Sequence, residues 1–144
     1  MSKVVFVTGS RHRLQMACRI AGRHYLAGNR LTVYAADQRR LAYFDQLLWR
    51  FETTAFVPHV DAQDALAERT PVILTHDFSR AIEMGHNWLL NLDIDVPPQA
   101  DAFANIVEVV SGHEEDRAAA RRRWLRYRDD GHTLSSSSFA AYLS

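Results

Sequence analysis

The sequence predicts an α/β domain, a mostly parallel central sheet with helices on both faces. Two observations carry this. Six short apolar runs are separated by segments with helical spacing of apolar residues, and parallel neighbours need crossover helices between them. The clearest runs are also continuously apolar rather than alternating, as strands buried on both faces are.

The elements follow in order. Residues 4–8 (VVFVT) form a β-branched apolar run closed by Gly9-Ser10, a buried strand. Leu14, Ala17, Cys18, Ala21 and Tyr25 then recur at helical spacing, and Gly28-Asn29 supplies a stop. Residues 31–36 (LTVYAA) are the second strand. Asp37 suits the N-cap of a helix whose apolar face is Leu41, Phe44 and Leu48. Residues 56–60 (FVPHV) contain Pro58, which confines them to an edge strand or an extended loop. A short helix is expected over 61–69, and a strand over 71–75 (PVILT). Asp77 caps a helix reaching about residue 84, ended by Gly85. Strands at 88–92 (WLLNL) and 106–110 (IVEVV) flank the Val96-Pro97-Pro98 turn, and a last helix covers about 114–130 before Gly131. The reading is one domain over 1–134, with the serine-rich 135–144 as a flexible tail.

Composition narrows the function classes. The 144 residues are 47% hydrophobic and 24% charged, enough for one core and unlike a disordered chain. A single cysteine, Cys18, excludes an internal disulfide and fits a reducing compartment. No run approaches the ~20 apolar residues of a membrane span, and the start lacks a signal-peptide pattern. A cytoplasmic protein with no membrane partner is expected.

Net charge is zero but segregated. Residues 1–36 carry six basic residues and no acid, while 37–110 carry five arginines against twelve acids. Neutrality argues against a bulk nucleic-acid binder and leaves room for a local basic site. The only lysine is Lys3, so a phosphate-loop lysine or a cofactor-linked internal lysine is absent.

The last helix is the most unusual segment. At about 100° per residue, Arg117, Arg121 and Arg128 fall within about 40° of one another, with Trp124 about 20° to one side. An arginine stripe beside an aromatic group suits a ligand with negative charge and an apolar anchor. It is equally the pattern of a solvated helix with arginines paired to nearby acids, or of a strip that binds nucleic-acid phosphates. Trp49, Phe51 and Phe56 form a second feature, either lids on the core or interface anchors. A third is the turn TGSRHR, between Gly9 and Arg13, where a helix N-terminus after a strand can bind an anion. It carries no G-x-G-x-x-G and no phosphate-loop signature.

Catalytic signals are weak. Asp93 and Asp95 follow a strand and suit a metal less well than a solvated turn. The seven histidines show no metal-ligand spacing, no G-x-S-x-G elbow is present, and Cys18 lies on an apolar helix face. Nothing demands an enzyme, a cofactor or a metal.

With those residues in view, the sequence resembles the chi subunit family of bacterial DNA polymerase III holoenzyme. LAYFDQLLWRFETTAFVPH is similar to the family's helix-then-loop signature, with Phe-Val-Pro-His starting seven residues after the tryptophan. PVILT and WLLNLD…VPP resemble its next strands and proline turn, and NIVEVV with RAAARRRWLRYRDDGHTL its last strand and arginine-rich helix. The resemblance implies a Rossmann-like, non-enzymatic DNA-replication protein linking the clamp loader to single-stranded DNA-binding protein. Nucleic acid is reached only indirectly. By that resemblance, the acidic C-terminal tail of single-stranded DNA-binding protein, which ends in phenylalanine, meets Trp49, Arg121 and Trp124, with Arg117 on the same side. Leu125 stands where some relatives carry a basic residue, so Arg128 or Arg122 supplies that charge. Phe56 falls on the position facing the psi subunit. Trp49 and Trp124 are expected to border one pocket for the terminal ring. The alternative from another class is a nucleotide- or phosphate-binding α/β enzyme built on the turn from Gly9 to Arg13.

Overall fold

Alternation along the first strand, β1 (Lys3–Ser10), sets the layering. Val4 and Phe6 face one side of the sheet, while Val5 and Val7 face the other. The computed structural model describes residues 1–50 and 58–144. Among them the chain continues through α1 (Arg13–Leu26), β2 (Leu31–Tyr34), α2 (Gln38–Arg50), β3 (His59–Asp61), β4 (Val72–Thr75) and α3 (Ser79–Glu83). It closes with β5 (Trp88–Asn91), β6 (Asn105–Ser111), α4 (Glu114–Asp129), β7 (Thr133–Ser138) and α5 (Phe139–Leu143).

The seven strands form one sheet in the order β3-β4-β2-β5-β6-β1-β7. Every pairing is parallel, so the α/β reading holds and the sheet is all-parallel rather than mostly so. Helices α1, α2 and α5 cover one face. Their Ile20, Phe44 and Tyr142 pack with Val33, Leu74, Leu90 and Val107 of the sheet. α3 and α4 cover the other, where Ala81, Ala120 and Tyr127 meet Phe6, Ile73, Leu89 and Ile106. Because α4 connects β6 to β7 across β1, it lies over the β1 end of the sheet.

Several local expectations hold for stated reasons. Asp37 caps α2, its Oδ1 accepting the Arg39 N–H at 2.9 Å. Asp77 lies one residue before the N-cap of α3, which is Phe78, and its Oδ1 accepts the Ser79 N–H at 3.0 Å. Strand β3 is an edge strand beside Pro58, as its sequence requires. Phe51 and Phe56 lie outside the described residues.

Two expectations differ. The helix over 61–69 reduces to a 3₁₀ turn at Ala67–Arg69. Asp61 and Asp64 accept the N–H groups of Gln63 and Leu66 at 2.8 Å, local turns that compete with helix. The segment 135–144, expected to be a flexible tail, contributes β7 and α5. β7 pairs with β1 from Lys3↔Thr133 to Thr8↔Ser138. Ser138 Oγ then accepts the Ala141 N–H at 3.1 Å and caps α5.

Candidate functional site

The arginine helix is oriented by a buried polar cluster. Glu108 stands in the middle of β6 on the α4 side of the sheet and is 0% exposed. Its Oε1 accepts from Arg123 Nε at 2.9 Å; its Oε2 accepts from the Tyr127 hydroxyl at 2.7 Å and from Asn91 Nδ2 at 2.8 Å. Arg123 Nη1 also donates to the Ile94 carbonyl at 3.0 Å. Burial, followed by the adjacent Glu108 carboxylate, pushes the Tyr127 hydroxyl well above the usual phenol range. Ala119, Ala120, Arg123 and Tyr127 are therefore the inner face of α4. The helix dipole is complemented at both ends, by Glu114, Glu115 and Asp116 at the start and by Arg126 and Arg128 in the last turn.

Fixing that face turns Arg117, Arg121 and Arg128 to solvent. Arg121 makes an exposed ion pair with Glu114 at 3.3 Å, and Arg128 one with Asp129 at 3.5 Å. Arg117 has no ion pair among the described residues. Exposed pairs of this kind are worth about 0–1 kcal/mol, so an incoming carboxylate displaces them at little cost. Trp124, half-buried, leans on Phe6 of β1 edge-to-face with ring centroids 5.1 Å apart. The structure thus brings together the row Arg117, Arg121, Trp124 and Arg128.

Trp49 is not part of that row. It sits exposed at the end of α2, on the opposite layer, with its ring 4.6 Å from that of His59 on β3. His59 is also 3.0 Å from Asp45, one helical turn before Trp49. Trp124 leans on β1, five strands from β3, which is about 24 Å at ~4.8 Å per strand. One phenylalanine ring cannot touch both, so the expectation of a shared Trp49–Trp124 pocket is corrected. Phe56 lies outside the described residues.

The turn from Gly9 to Arg13 is built differently from a phosphate loop. Gly9 has φ +102 and marks a bulge where the pairing of β1 with β6 shifts between Thr8 and Ser10. Arg13 folds back over the strand ends. Its Nε donates to Val109 O at 2.9 Å, Nη1 to Leu92 O at 3.1 Å, and Nη2 to Asp93 O at 2.9 Å and Asn91 O at 3.3 Å. Burial, then the neighbouring Arg123, lowers its pKa to about 10. Most of its donors are spent on backbone. Asp93 and Asp95 lie in the same loop, which is knitted by Asn91: its amide donates to Asp95 O at 3.1 Å and its carbonyl accepts from Asp93 N at 3.0 Å. No group of three or more His, Cys, Asp or Glu side chains suited to a metal ion occurs among the described residues. Cys18 is buried, which raises its thiol pKa to about 12. Among the described residues no helix is long and apolar enough to cross a membrane.

Glu108, Arg123 and Asn91 were not singled out from sequence as site-building residues, and Arg13 was singled out only as the end of an anion-binding turn. The signal was present for one of them: a carboxylate at the centre of IVEVV, in a strand buried on both faces, requires a buried partner.

Comparison with known proteins gives consistent results. The family model described as DNA polymerase III chi subunit, HolC matches residues 1–135. The DNA polymerase III subunit chi of Pseudomonas aeruginosa is 30% identical over 122 residues, covering 85% of this chain and 83% of that protein. The proteins of the same name from Escherichia coli and Haemophilus influenzae are 26% and 23% identical, covering 87% and 86% of this chain and 84% and 85% of their own lengths.

Proposed function

The chain belongs to the DNA polymerase III chi subunit family, and from that membership we propose that it is a non-catalytic adaptor of the replicative polymerase. One surface grips the acidic, phenylalanine-ended tail of single-stranded DNA-binding protein, and another meets the psi subunit of the clamp loader. The observation that carries the first assignment is the solvent-facing row of Arg117, Arg121 and Arg128 with Trp124 beside it. Guanidinium forks bind carboxylates in bidentate geometry. The Trp124–Phe6 pair offers an edge on which a terminal aromatic ring can lean.

Trp49 is reassigned to the second surface. It is exposed, lies seven residues before Phe56 in the sequence, and stands on the layer away from α4. An exposed indole held in place by His59 suits an interface anchor.

The test is fluorescence anisotropy with a labelled peptide of about ten residues copying the tail of the cognate single-stranded DNA-binding protein. A control peptide lacks only the final phenylalanine. A short contact of this kind gives roughly micromolar affinity that weakens with salt. Arg121→Ala removes charge-assisted hydrogen bonds and weakens binding by about 1–3 kcal/mol, whereas Trp49→Ala leaves the peptide affinity unchanged. Binding that ignores the terminal phenylalanine, or that falls equally in both variants, overturns the two-surface reading.

A further inference from the structure

The other flank of α4 carries a second arginine pair. Arg122 and Arg126 lie about 140° round the helix from the Arg117 row. Arg122 and Arg123 help wall a cavity of about 480 Å³ over the carboxyl ends of the strands, together with Arg13, Arg40, Leu14 and Ile94. A smaller cavity of about 250 Å³ adjoins it and shares Ile94, Arg122 and Arg123. The helix that follows β1 goes to one face of the sheet and the helix that follows β6 goes to the other, although the two strands are neighbours. In open α/β sheets the crevice at such a switch point is where ligands bind.

The charges there do not cancel. Arg13 is matched by Asp116, 3.8 Å away, whose carboxylate also accepts the Ser111 N–H at 2.6 Å. Arg123 is matched by Glu108 at 2.9 Å. Arg40 and Arg122 have no ion pair among the described residues, and the exposed Glu115 is the one remaining acid in the wall. One positive charge is in excess. Arg40 uses one of its donors on Leu92 O at 2.7 Å and keeps the rest.

A second observation points to a ligand. Arg123 is only 2% exposed, yet its Nη2 has no hydrogen-bond partner among the described residues. Buried guanidinium groups are ordinarily satisfied; this nitrogen is closed off from solvent, in a residue that helps wall the cavity. Burial first, and then the neighbouring Arg123, lowers the pKa of Arg13 to about 10 beside the same cavity.

We propose that this crevice binds a small phosphate-bearing anion, held by Arg40 and Arg122 with the orphaned nitrogen of Arg123 behind them. Arg13 contributes charge rather than free donors. Leu14 and Ile94 give the non-phosphate part of the ligand an apolar wall. The site lies across the helix from the Arg117 row and does not rest on the tail-binding reading.

The experiment is isothermal titration calorimetry of the full chain with inorganic phosphate, glycerol phosphate and acetate at constant ionic strength. The expected result is saturable one-to-one binding of both phosphates. Arg122→Gln and Arg40→Gln each weaken it about tenfold or more, as loss of a charged hydrogen bond does. Arg69→Gln, an exposed arginine elsewhere, changes nothing. Thermal melting without phosphate establishes that each variant is folded, and Arg122, being exposed, carries the test if Arg40→Gln is not. Absence of saturation, equal binding by Arg122→Gln, equal weakening by Arg69→Gln, or acetate binding as tightly as phosphate overturns the proposal.

Discussion

Glu108→Gln is the most informative perturbation of the scaffold that presents both arginine rows. The carboxylate is 0% exposed and accepts three hydrogen bonds at 2.7–2.9 Å, from Arg123, Asn91 and Tyr127. The amide keeps the shape and one acceptor oxygen. If that oxygen serves Arg123, the new NH2 faces the Asn91 amide and the Tyr127 hydroxyl, and only the hydroxyl can turn to accept. The buried guanidinium also loses its countercharge.

Breaking one side of a buried ion pair costs about 3–5 kcal/mol, and the retained acceptor puts this variant near ~3 kcal/mol. A domain of this size stands only about 5–15 kcal/mol above its unfolded state. The variant should fold, with a melting temperature lower by roughly 6–12 °C. Urea denaturation followed by circular dichroism reads the change through the midpoint, with the slope expected to stay constant. A double-mutant cycle with Arg123→Met isolates the pair and should return a coupling of about 2 kcal/mol or more. A loss under about 1 kcal/mol with negligible coupling would refute the claim that this carboxylate sets the face α4 presents.

Other outcomes are expected. His24 is buried, and burial first, then Arg23, lowers its pKa to about 4. Asn29 Nδ2 donates to its Nδ1 at 3.1 Å, and its Nε2–H donates to the Tyr142 hydroxyl at 2.6 Å, so protonation displaces the Asn29 bond. The unfolded histidine takes up a proton near pH 6.5 and the folded one only near pH 4. Stability therefore falls as pH drops through that window, by about 1.4 kcal/mol per pH unit at most from this group. Urea midpoints at stepped pH should show the slope, and His24→Gln should reduce it, leaving the share of His86, whose pKa burial first, then Arg30, also lowers to about 4. Truncation after His132 removes β7 and α5, with Leu134, Phe139, Tyr142 and Leu143 that pack on the two cores. It should lower the melting temperature by more than 10 °C, as loss of several kcal/mol does; an unchanged melt would return 135–144 to the status of a dispensable tail.

What the sequence disclosed follows from which physical signals are periodic. Strands such as 4–8, and 106–110 apart from Glu108, announce themselves because a strand buried on both faces is a nearly continuous apolar run. The serine run of β7 has no such pattern. It is an edge strand held by backbone pairing to β1, and pairing leaves no trace in side-chain character. The arginine row was legible because 3.6-residue periodicity places Arg117, Arg121 and Arg128 together whatever the tertiary structure. Whether Trp49 joins them depends on which face of the sheet each helix covers, and periodicity within a helix carries no information about that. Arg13 shows the same limit: its position after a strand suggested an anion-binding turn, while its fate was decided by four carbonyls contributed by β5, β6 and the loop after β5.

The arginines of α4 are therefore not interchangeable, although composition presents them as one basic helix. Arg123 bonds Glu108 through Nε and Ile94 O through Nη1, two directions that a planar fork spans at once. A lysine has a single ammonium on a flexible stem. At 2% exposure it must choose between the carboxylate and the carbonyl, leaving the other unsatisfied. Arg123→Lys should cost about 2 kcal/mol in urea denaturation, while Arg117→Lys, exposed and without an ion pair among the described residues, should stay within about 0.5 kcal/mol. Charge is conserved in both substitutions, so a difference between them measures geometry alone. Equal stability of the two variants would mean that α4 is held by the contacts of its Trp124 and Tyr127 rings with Phe6 of β1. The polar cluster beneath it would then only fill space.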